Sequence, residues 1–207
     1  MRPLVVTQFL TLDGVVQAPG GPEEDLSGGF THGGWLVPHF DEVMDQQIVA
    51  WFAGASDFLL GRGTYEIFVA WWPKAPTEDD PVARALNALP KHVASRTLQS
   101  VDWDGAGLIA GDVVDAVRAL KAQDGGELQV HGSPGLSQAL LAADLVDELR
   151  LIVFPVTLGA GKRLFGEGTV PRTWRLTTST VTGTGARIAA YQRAGEVDTG
   201  TMTPEQV

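Results

Sequence analysis

Two glycine-containing segments of the chain carry residues suited to binding a phosphate group. Residues 61–64 and 132–135 each join the end of a predicted strand to the start of a predicted helix. Glycine lets a phosphate oxygen approach the backbone, and the first N–H groups of a helix have no partner within the helix. Arginine and hydroxyl side chains add further donors. The candidate ligands are Gly61, Arg62, Thr64, Gly132, Ser133 and Gly135.

Each turn taken alone has a simpler explanation, because any tight turn from strand to helix favours glycine. Neither segment matches the dinucleotide fingerprint G-x-G-x-x-G or the P-loop pattern G-x-x-x-x-G-K-[ST]. An ordinary Rossmann or kinase-like protein is therefore disfavoured. Two such turns in one chain, one of them with an arginine, favour a phosphate-binding function.

A third candidate phosphate site follows a short strand over residues 91–94. Ser95 and Arg96, followed by Thr97, offer one cation and two hydroxyls. Such a group could hold the additional phosphate that distinguishes NADPH from NADH. The alternative is a solvated loop with one arginine.

Asp13 is the carboxylate with the most suggestive position. It lies where the first predicted strand ends, just before a long loop over residues 17–34 that is rich in glycine, proline and acidic residues. Ligands of α/β sheets bind beyond the carboxyl ends of the strands, so this side chain could accept hydrogen bonds from an amino-substituted heterocycle. The alternative is that Asp-Gly only forms a turn.

Several other chemistries are disfavoured by the residues present. The chain has no cysteine and four scattered histidines without H-E-x-x-H spacing, so we predict no metal site. His131 ends a buried strand, which favours a hydrogen-bonded structural role. Ser133 does not lie in a G-x-S-x-G elbow, so a serine hydrolase is a weak alternative.

Strands that alternate with helices must position these residues. The alternation predicts crossover connections and a mostly parallel sheet, and the strands at the end of the chain predict an antiparallel hairpin at the sheet edge. The predicted strands cover residues 4–12, 57–61, 91–94, 108–111, 127–132, 148–157, 174–182 and 186–193, and the predicted helices cover residues 39–54, 65–72, 112–123 and 136–143.

Length and charge narrow the class of protein. A chain of 207 residues predicts one domain, over residues 1–195, followed by a polar and disordered tail over residues 196–207. The net charge of −10 disfavours nucleic acid and anionic membranes as partners. No apolar run is long enough to span a membrane and no export signal is evident, so we expect a cytoplasmic protein.

An ordered set of motifs resembles the riboflavin-biosynthesis reductase C-terminal domain family. The motifs keep their order over residues 4–193. They are TLDGV at residues 11–15, LGRGTYE at 60–66, KHVASRT at 91–97, VHGS at 130–133, LVDELRL at 145–151 and PVTLGAGKRLF at 155–165.

The resemblance implies a three-layer α/β/α fold like that of dihydrofolate reductase, a homodimer, and NADPH as hydride donor to a pyrimidine, pterin or similar heterocycle. It places Gly61, Arg62, Thr64, the pair Ser95 and Arg96, and the 132–135 turn along the cofactor. It also implies that Asp13 faces the substrate. Two alternatives stay open, a deazaflavin-dependent reductase of the same fold and a non-catalytic ligand-binding scaffold.

The sequence departs from the family pattern in two respects. The usual Gly-Gly of the pyrophosphate turn is Gly132-Ser133, and the zinc deaminase half of the bifunctional riboflavin enzyme is absent, since its signature requires cysteine. We therefore expect a free-standing relative with a different substrate.

Overall fold

The computed structural model describes residues 1–202 and contains an eight-stranded sheet in the order β4-β3-β2-β5-β1-β6-β8-β7. The strands are β1 (Leu4–Thr11), β2 (Ala55–Gly61), β3 (Lys91–Ala94), β4 (Ala106–Leu108), β5 (Glu127–His131), β6 (Glu148–Phe154), β7 (Thr173–Val181) and β8 (Arg187–Gly195). The helices are α1 (Glu42–Phe52), α2 (Arg62–Trp71), α3 (Pro81–Ala88), α4 (Val113–Ala122) and α5 (Pro134–Ala142).

The first six strands pair in parallel, and β8 and β7 then add an antiparallel hairpin beside β6. The mostly parallel sheet with a C-terminal hairpin is therefore confirmed. The carboxyl ends of all six parallel strands lie along one edge of the sheet, the carboxyl edge. The turns that follow β1, β2, β3 and β5 therefore lie along this edge. The predicted phosphate ligands and Asp13 all lie in these turns.

Helices cover both faces of the central strands of the sheet. One core cluster packs α4 and α5 against the face that carries Leu4, Val6, Val130 and Leu149. Two clusters fill the opposite face, where α1 packs on β1 and β6 and where α2 and α3 pack on β2 and β3. This is the expected three-layer arrangement. The central strands have continuous apolar sequences because both of their faces are buried.

The helix α3 was absent from the sequence prediction. Its start signals are present, since Asp80 accepts hydrogen bonds from the N–H groups of Val82 (2.8 Å) and Ala83 (3.0 Å) and Pro81 takes the first helical position. The helix has only eight residues and two large apolar contacts, Val82 and Leu86, so its periodic pattern is weak.

Element boundaries differ from prediction in ways that have local causes. The strand predicted at 108–111 is wrong in position, because β4 ends at Leu108 and Gly111 adopts a positive φ of 77°. Helix α1 begins only after Asp41, whose carboxylate accepts from the Met44 N–H (3.0 Å). Helix α2 begins three residues earlier than expected, directly after Gly61.

The loop over residues 17–34 is anchored to the body of the protein, although its composition predicted loose packing over the surface. Gln17 is 4% exposed, and its amide donates to the carbonyls of Asp25 (3.0 Å) and Ser27 (2.9 Å). Phe30 is also buried. The loop is therefore a fixed wall beside the ends of β1 and β6.

Two further observations concern the ends and the surface. Residues 196–202 have no regular secondary structure, and the rest of the predicted tail lies outside the described residues. Within residues 1–202 no helix is both long enough and apolar enough to cross a bilayer.

Candidate functional site

The two glycine turns lie side by side because β2 and β5 are neighbours in the sheet. Helix α2 starts directly after β2, and α5 starts three residues after β5, with Ser133 as its N-cap residue. The two helix N-termini therefore point to the same edge of the sheet. Their positive dipole ends and unpaired N–H groups favour an anion that lies across both turns.

A hydroxyl bridge joins the two turns. The Gly61 N–H donates to Ser133 Oγ (2.8 Å), and the Ser133 hydroxyl donates to Thr64 Oγ1 (2.7 Å). Because Thr64 Oγ1 accepts in this bridge, its own proton stays available for a ligand. Ser133 therefore organises the two turns, and the predicted contact of its hydroxyl with a phosphate stays a prediction.

The bridge requires an unusual backbone at the second turn. Ser133 has φ of 54° and ψ of 65°, a left-handed conformation that is uncommon outside glycine. A Cβ on Gly61 would lie 2.9 Å from Ser133 Oγ, so glycine is needed at position 61. The close approach of the two turns is thus a packing reason for glycine at position 61, and the contact of Gly61 with a cofactor stays a prediction.

The backbone that a ligand would approach is open. A Cβ built on Gly63 or on Gly135 meets no atom within 4 Å. Arg62 is 55% exposed and lies 3.5 Å from Glu66, one helical turn away. Such an exposed pair is weak, so the guanidinium can turn to an anionic ligand at small cost.

The third candidate site follows β3, next to the β2 turn. Ser95 Oγ accepts from the N–H groups of Thr97 (3.1 Å) and Leu98 (2.9 Å), which leaves the Ser95 hydroxyl proton available. Arg96 is exposed and has no ion-pair partner within residues 1–202. Both side chains thus remain able to bind a phosphate beyond the first two turns.

Asp13 holds two segments of the chain together. Its carboxylate accepts from the Thr11 hydroxyl (2.6 Å) and from the N–H groups of Leu158 (3.2 Å) and Gly159 (2.8 Å). The hydrogen bond from Thr11 is the main cause that lowers the pKa of Asp13 to about 2. Each carboxylate oxygen thus accepts at least one hydrogen bond, and the contact of Asp13 with a substrate remains a prediction.

The segment held by Asp13 forms a cleft with the long loop. Arg163 lies 3.6 Å from Asp13 and donates to the Gly159 carbonyl (3.0 Å). The cleft has a volume of about 410 Å³ and is lined by Phe30, His32 and Lys162 among others. The sequence did not predict the contact between Asp13 and the 158–159 segment. Leu158 and Asp13 are 145 positions apart in the chain, and they meet only through the register of β1 and β6.

A second cleft lies at the outer sheet edge. It has a volume of about 310 Å³ between α4 and the strands β3 and β4. His92 lies at its wall, 3.0 Å from Asp57. Ala116 and Ala119 of α4 line this cleft together with Gly107, and their small side chains leave its volume unfilled.

No metal site emerges from the geometry of residues 1–202, where no three His, Asp or Glu side chains gather as a possible set of ligands. His131 is buried and its ring stacks on Phe52, with centroids 4.3 Å apart. Burial lowers the pKa of His131 to about 3. It is therefore neutral at physiological pH.

Solved structures share this fold. A putative riboflavin biosynthesis protein from Shewanella sp. PV-4 matches with a TM-score of 0.72 at 24% identity, over 93% of this chain and 99% of that chain. Dihydrofolate reductase from Enterococcus faecalis, solved with NADP(H), matches with a TM-score of 0.56 at 14% identity, over 92% and 96%. The fold is that of dihydrofolate reductase.

A third structure is a bifunctional deaminase and 5-amino-6-(5-phosphoribosylamino)uracil reductase from Thermotoga maritima. It matches with a TM-score of 0.61 at 13% identity, over 93% of this chain but 57% of that chain. Among curated proteins, the uncharacterized YyaP of Bacillus subtilis is 27% identical over 170 residues, which cover 79% of this chain and 80% of YyaP.

The sequence model of the RibD C-terminal domain matches residues 2–188, which is nearly the whole chain. The match includes both glycine turns, the Ser95 and Arg96 segment, Asp13 and the paired segment after β6. The chain therefore belongs to the RibD C-terminal domain family.

Proposed function

We propose that this protein is an NADPH-dependent reductase that transfers hydride to a small pyrimidine-like or pterin-like heterocycle. The observation that carries the proposal is the pair of helix N-termini, α2 and α5, that Ser133 bridges at the carboxyl edge of the sheet. An edge with two aligned helix dipoles suits the pyrophosphate of a dinucleotide.

The residues present fit this cofactor. The N–H groups at the start of α2, the Thr64 hydroxyl and the backbone at Gly135 would hold the pyrophosphate, with Arg62 as a cation. Ser95 and Arg96 lie one strand further out, where they would hold the additional phosphate of NADPH. A solved structure of the same fold, from Enterococcus faecalis, contains NADP(H), which supports this choice.

When bound, a reduced nicotinamide supplies the hydride, and the protein supplies position and a dry environment. The 17–34 loop and the segment held by Asp13 line the cleft and would shield a bound ligand from water on those sides. The reductase named in the Thermotoga structure acts on a uracil derivative, which supports a related heterocycle as the substrate here.

We also infer a homodimer in the cytoplasm. The dimer is suggested by the family resemblance, and the cytoplasm fits a chain without cysteine. The acidic net charge of −10 disfavours nucleic acid and anionic membranes as partners.

A ligand titration tests the proposal. NADPH at 100 times its Kd should add roughly 2.7 kcal/mol to native stability and raise Tm by about 5 to 10 °C. NADH should have a smaller effect. FMN and a deazaflavin are the comparison ligands. A rise with the deazaflavin alone would replace the proposal with the deazaflavin-dependent reductase, and heterocycle binding without hydride transfer would indicate a non-catalytic scaffold.

The variant Arg96→Ala separates the two nicotinamide cofactors. It should weaken NADPH binding by about tenfold and leave NADH unchanged, because it removes one charge-assisted hydrogen bond worth about 1.5 kcal/mol. Arg175→Ala is the matched control, since Arg175 is exposed on β7 and, within residues 1–202, its side chain hydrogen-bonds only to Gln192. Equal losses for both cofactors would contradict the role of Arg96.

A further inference from the structure

A buried chain of hydrogen bonds fixes the proton of His131. Arg150 donates to both carboxylate oxygens of Glu127 (2.9 and 2.6 Å), and the Gln129 amide nitrogen donates to Glu127 (2.6 Å) and to the Trp51 carbonyl (2.6 Å). The Gln129 oxygen therefore remains as an acceptor, and it lies 2.9 Å from His131 Nε2. His131 must carry its proton on Nε2, so Nδ1 presents a lone pair.

The imidazole has little freedom to change this arrangement. Phe52 stacks on one face of the ring, and Phe58 packs edge-on with centroids 5.7 Å apart. Burial and the nearby Arg150 cation both disfavour the charged form, which keeps the pKa far below its usual value. His131 Nδ1 is thus a fixed, neutral hydrogen-bond acceptor.

Thr7 is the neighbour of His131 on the adjacent strand. Thr7 and His131 are register partners in the parallel pair of β1 and β5, so both side chains point to the α1 face. Thr7 is 4% exposed, and its Oγ1 is the only buried side-chain polar atom without a hydrogen-bond partner in residues 1–202. Within the same residues, His131 Nδ1 also accepts no hydrogen bond.

An unsatisfied buried hydroxyl costs free energy, so its position needs an explanation. His131 is the last residue of β5, directly before the Gly132 turn that the proposed cofactor would contact. Towards the same sheet edge, Phe9 follows Thr7 on the α1 face and is only half-buried, as is Ile48 of α1. Thr7 and His131 therefore lie on the α1 face of the sheet, close to the turn that the proposed cofactor would contact.

We propose that Thr7 and His131 bind one edge of the heterocyclic ligand and determine its specificity. His131 Nδ1 accepts from a ring N–H of the ligand, and the Thr7 hydroxyl donates to an adjacent ring carbonyl. A ligand that blocks the N–H with a methyl group loses the first bond and collides with the imidazole. The inference rests on the proposed function for the ligand class, and it adds a specificity role for the side chains of Thr7 and His131.

The first test measures whether a substitution at Thr7 raises or lowers the Tm, and it needs no ligand. Thr7→Val keeps the shape of the side chain and removes the unpaired hydroxyl, so it should raise the Tm of the ligand-free protein. Thr180→Val on the exposed strand β7 is the matched control and should have a smaller effect. A lower Tm for Thr7→Val would overturn the inference, since it would show that the hydroxyl is satisfied in the free protein.

The second test uses two probes that differ only at the ring nitrogens, 5,6-diaminouracil and its 1,3-dimethyl analogue. Calorimetric titrations with and without NADPH should show at least tenfold tighter binding of the unmethylated probe. Thr7→Val and His131→Phe should each reduce this preference to less than threefold, while NADPH affinity stays within twofold. His131→Phe keeps an aromatic ring to stack on Phe52.

The outcomes separate this inference from the proposed function. Binding of the unmethylated probe without any NADPH binding would support the pair and contradict the reductase. Three outcomes combined with NADPH binding would overturn the role of Thr7 and His131 and leave the reductase proposal standing. They are equal affinity for the two probes, no binding of either probe, and a preference between the probes that both variants retain.

Discussion

At the scale of single residues, the carboxylate of Asp13 joins the end of β1 to the segment that follows β6. Its position at the end of β1 is the one predicted for a substrate contact. In the structure its oxygens accept hydrogen bonds from Thr11, Leu158 and Gly159, and the substrate contact stays a prediction. A carboxylate that accepts several N–H and O–H bonds is strongly stabilised in its charged form. The same bonds hold the wall of the cleft in place.

Replacing Asp13 by Asn should loosen the clasp, the set of hydrogen bonds that Asp13 accepts from Thr11, Leu158 and Gly159. The amide has one acceptor oxygen in place of two, and its NH₂ group would face a backbone N–H. We expect a lower Tm and faster hydrogen exchange at the Leu158 and Gly159 amides. The stability that the clasp contributes should also fall as pH falls from 3.8 to about 2. In this range the carboxylate of unfolded Asp13 is protonated, whereas that of folded Asp13 resists protonation down to its lowered pKa.

Asp124→Asn is the control for this change, since Asp124 is exposed and makes no ion pair or side-chain hydrogen bond within residues 1–202. If Asp13→Asn weakens heterocycle binding but leaves hydrogen exchange at Gly159 unchanged, Asp13 faces the substrate and the clasp is incidental.

His131 should give the protein a defined dependence of stability on pH. The unfolded state binds a proton below pH 6.5, whereas the native state excludes it down to about pH 3. The free energy of unfolding should therefore be highest above pH 6.5 and fall by up to about 1.4 kcal/mol per pH unit below it. Urea unfolding of the wild type and of His131→Phe between pH 4.5 and 7 measures this term. Parallel curves for the two proteins would contradict it.

At the scale of elements, the strand-to-helix turns of β2 and β5 act as one unit through Ser133. Hydrogen bonds of this kind contribute about 1 kcal/mol each, so the bridge couples two turns that are 72 residues apart in sequence. The left-handed backbone at Ser133 carries a cost that the bridge offsets.

A double-mutant cycle can measure the bridge. Ser133→Ala and Thr64→Val should show a coupling energy of about 1 kcal/mol in urea unfolding. Ser133→Gly should destabilise less than Ser133→Ala, because glycine adopts the positive φ without strain. Both Ser133 variants should weaken NADPH binding if the bridge sets the spacing of the two turns. Additive effects of Ser133→Ala and Thr64→Val would contradict a direct bond.

At the scale of the whole molecule, one edge of the sheet remains uncovered. Strand β7 is exposed along nearly its full length, and it is rich in threonine with a single charged residue, Arg175. Long exposed edges are usually protected by charge, proline or a partner. The surface of this strand is therefore compatible with assembly, although the family resemblance remains the source of the dimer prediction.

Sedimentation equilibrium should give twice the chain mass of 22.0 kDa at micromolar concentration. We expect the dimer to persist when the salt concentration is raised, because two chains with a charge of −10 each repel one another and salt screens that repulsion. A monomer mass at all concentrations would refute the prediction.

Local signals explain most of what could be predicted from the sequence. Periodicity of 3.6 in the α1 and α4 segments and continuous apolar runs in β1 and β6 identify elements that are buried against the sheet. The missed helix α3 is short, and β4 has three residues, so neither carries enough periodic positions. The glycine turns were visible because tight strand-to-helix turns select residues directly.

The sequence by itself determined the alternation of strands and helices, the C-terminal hairpin, the candidate turns and the family, because each depends on residues close together in the chain. Only the tertiary structure decided that the β2 and β5 turns are neighbours, that Ser133 bonds to Thr64, that Asp13 clasps Gly159 and that Thr7 lies opposite His131. These contacts join residues at least 69 positions apart. They follow from strand order and register, which are set by packing of the whole sheet and leave no local pattern.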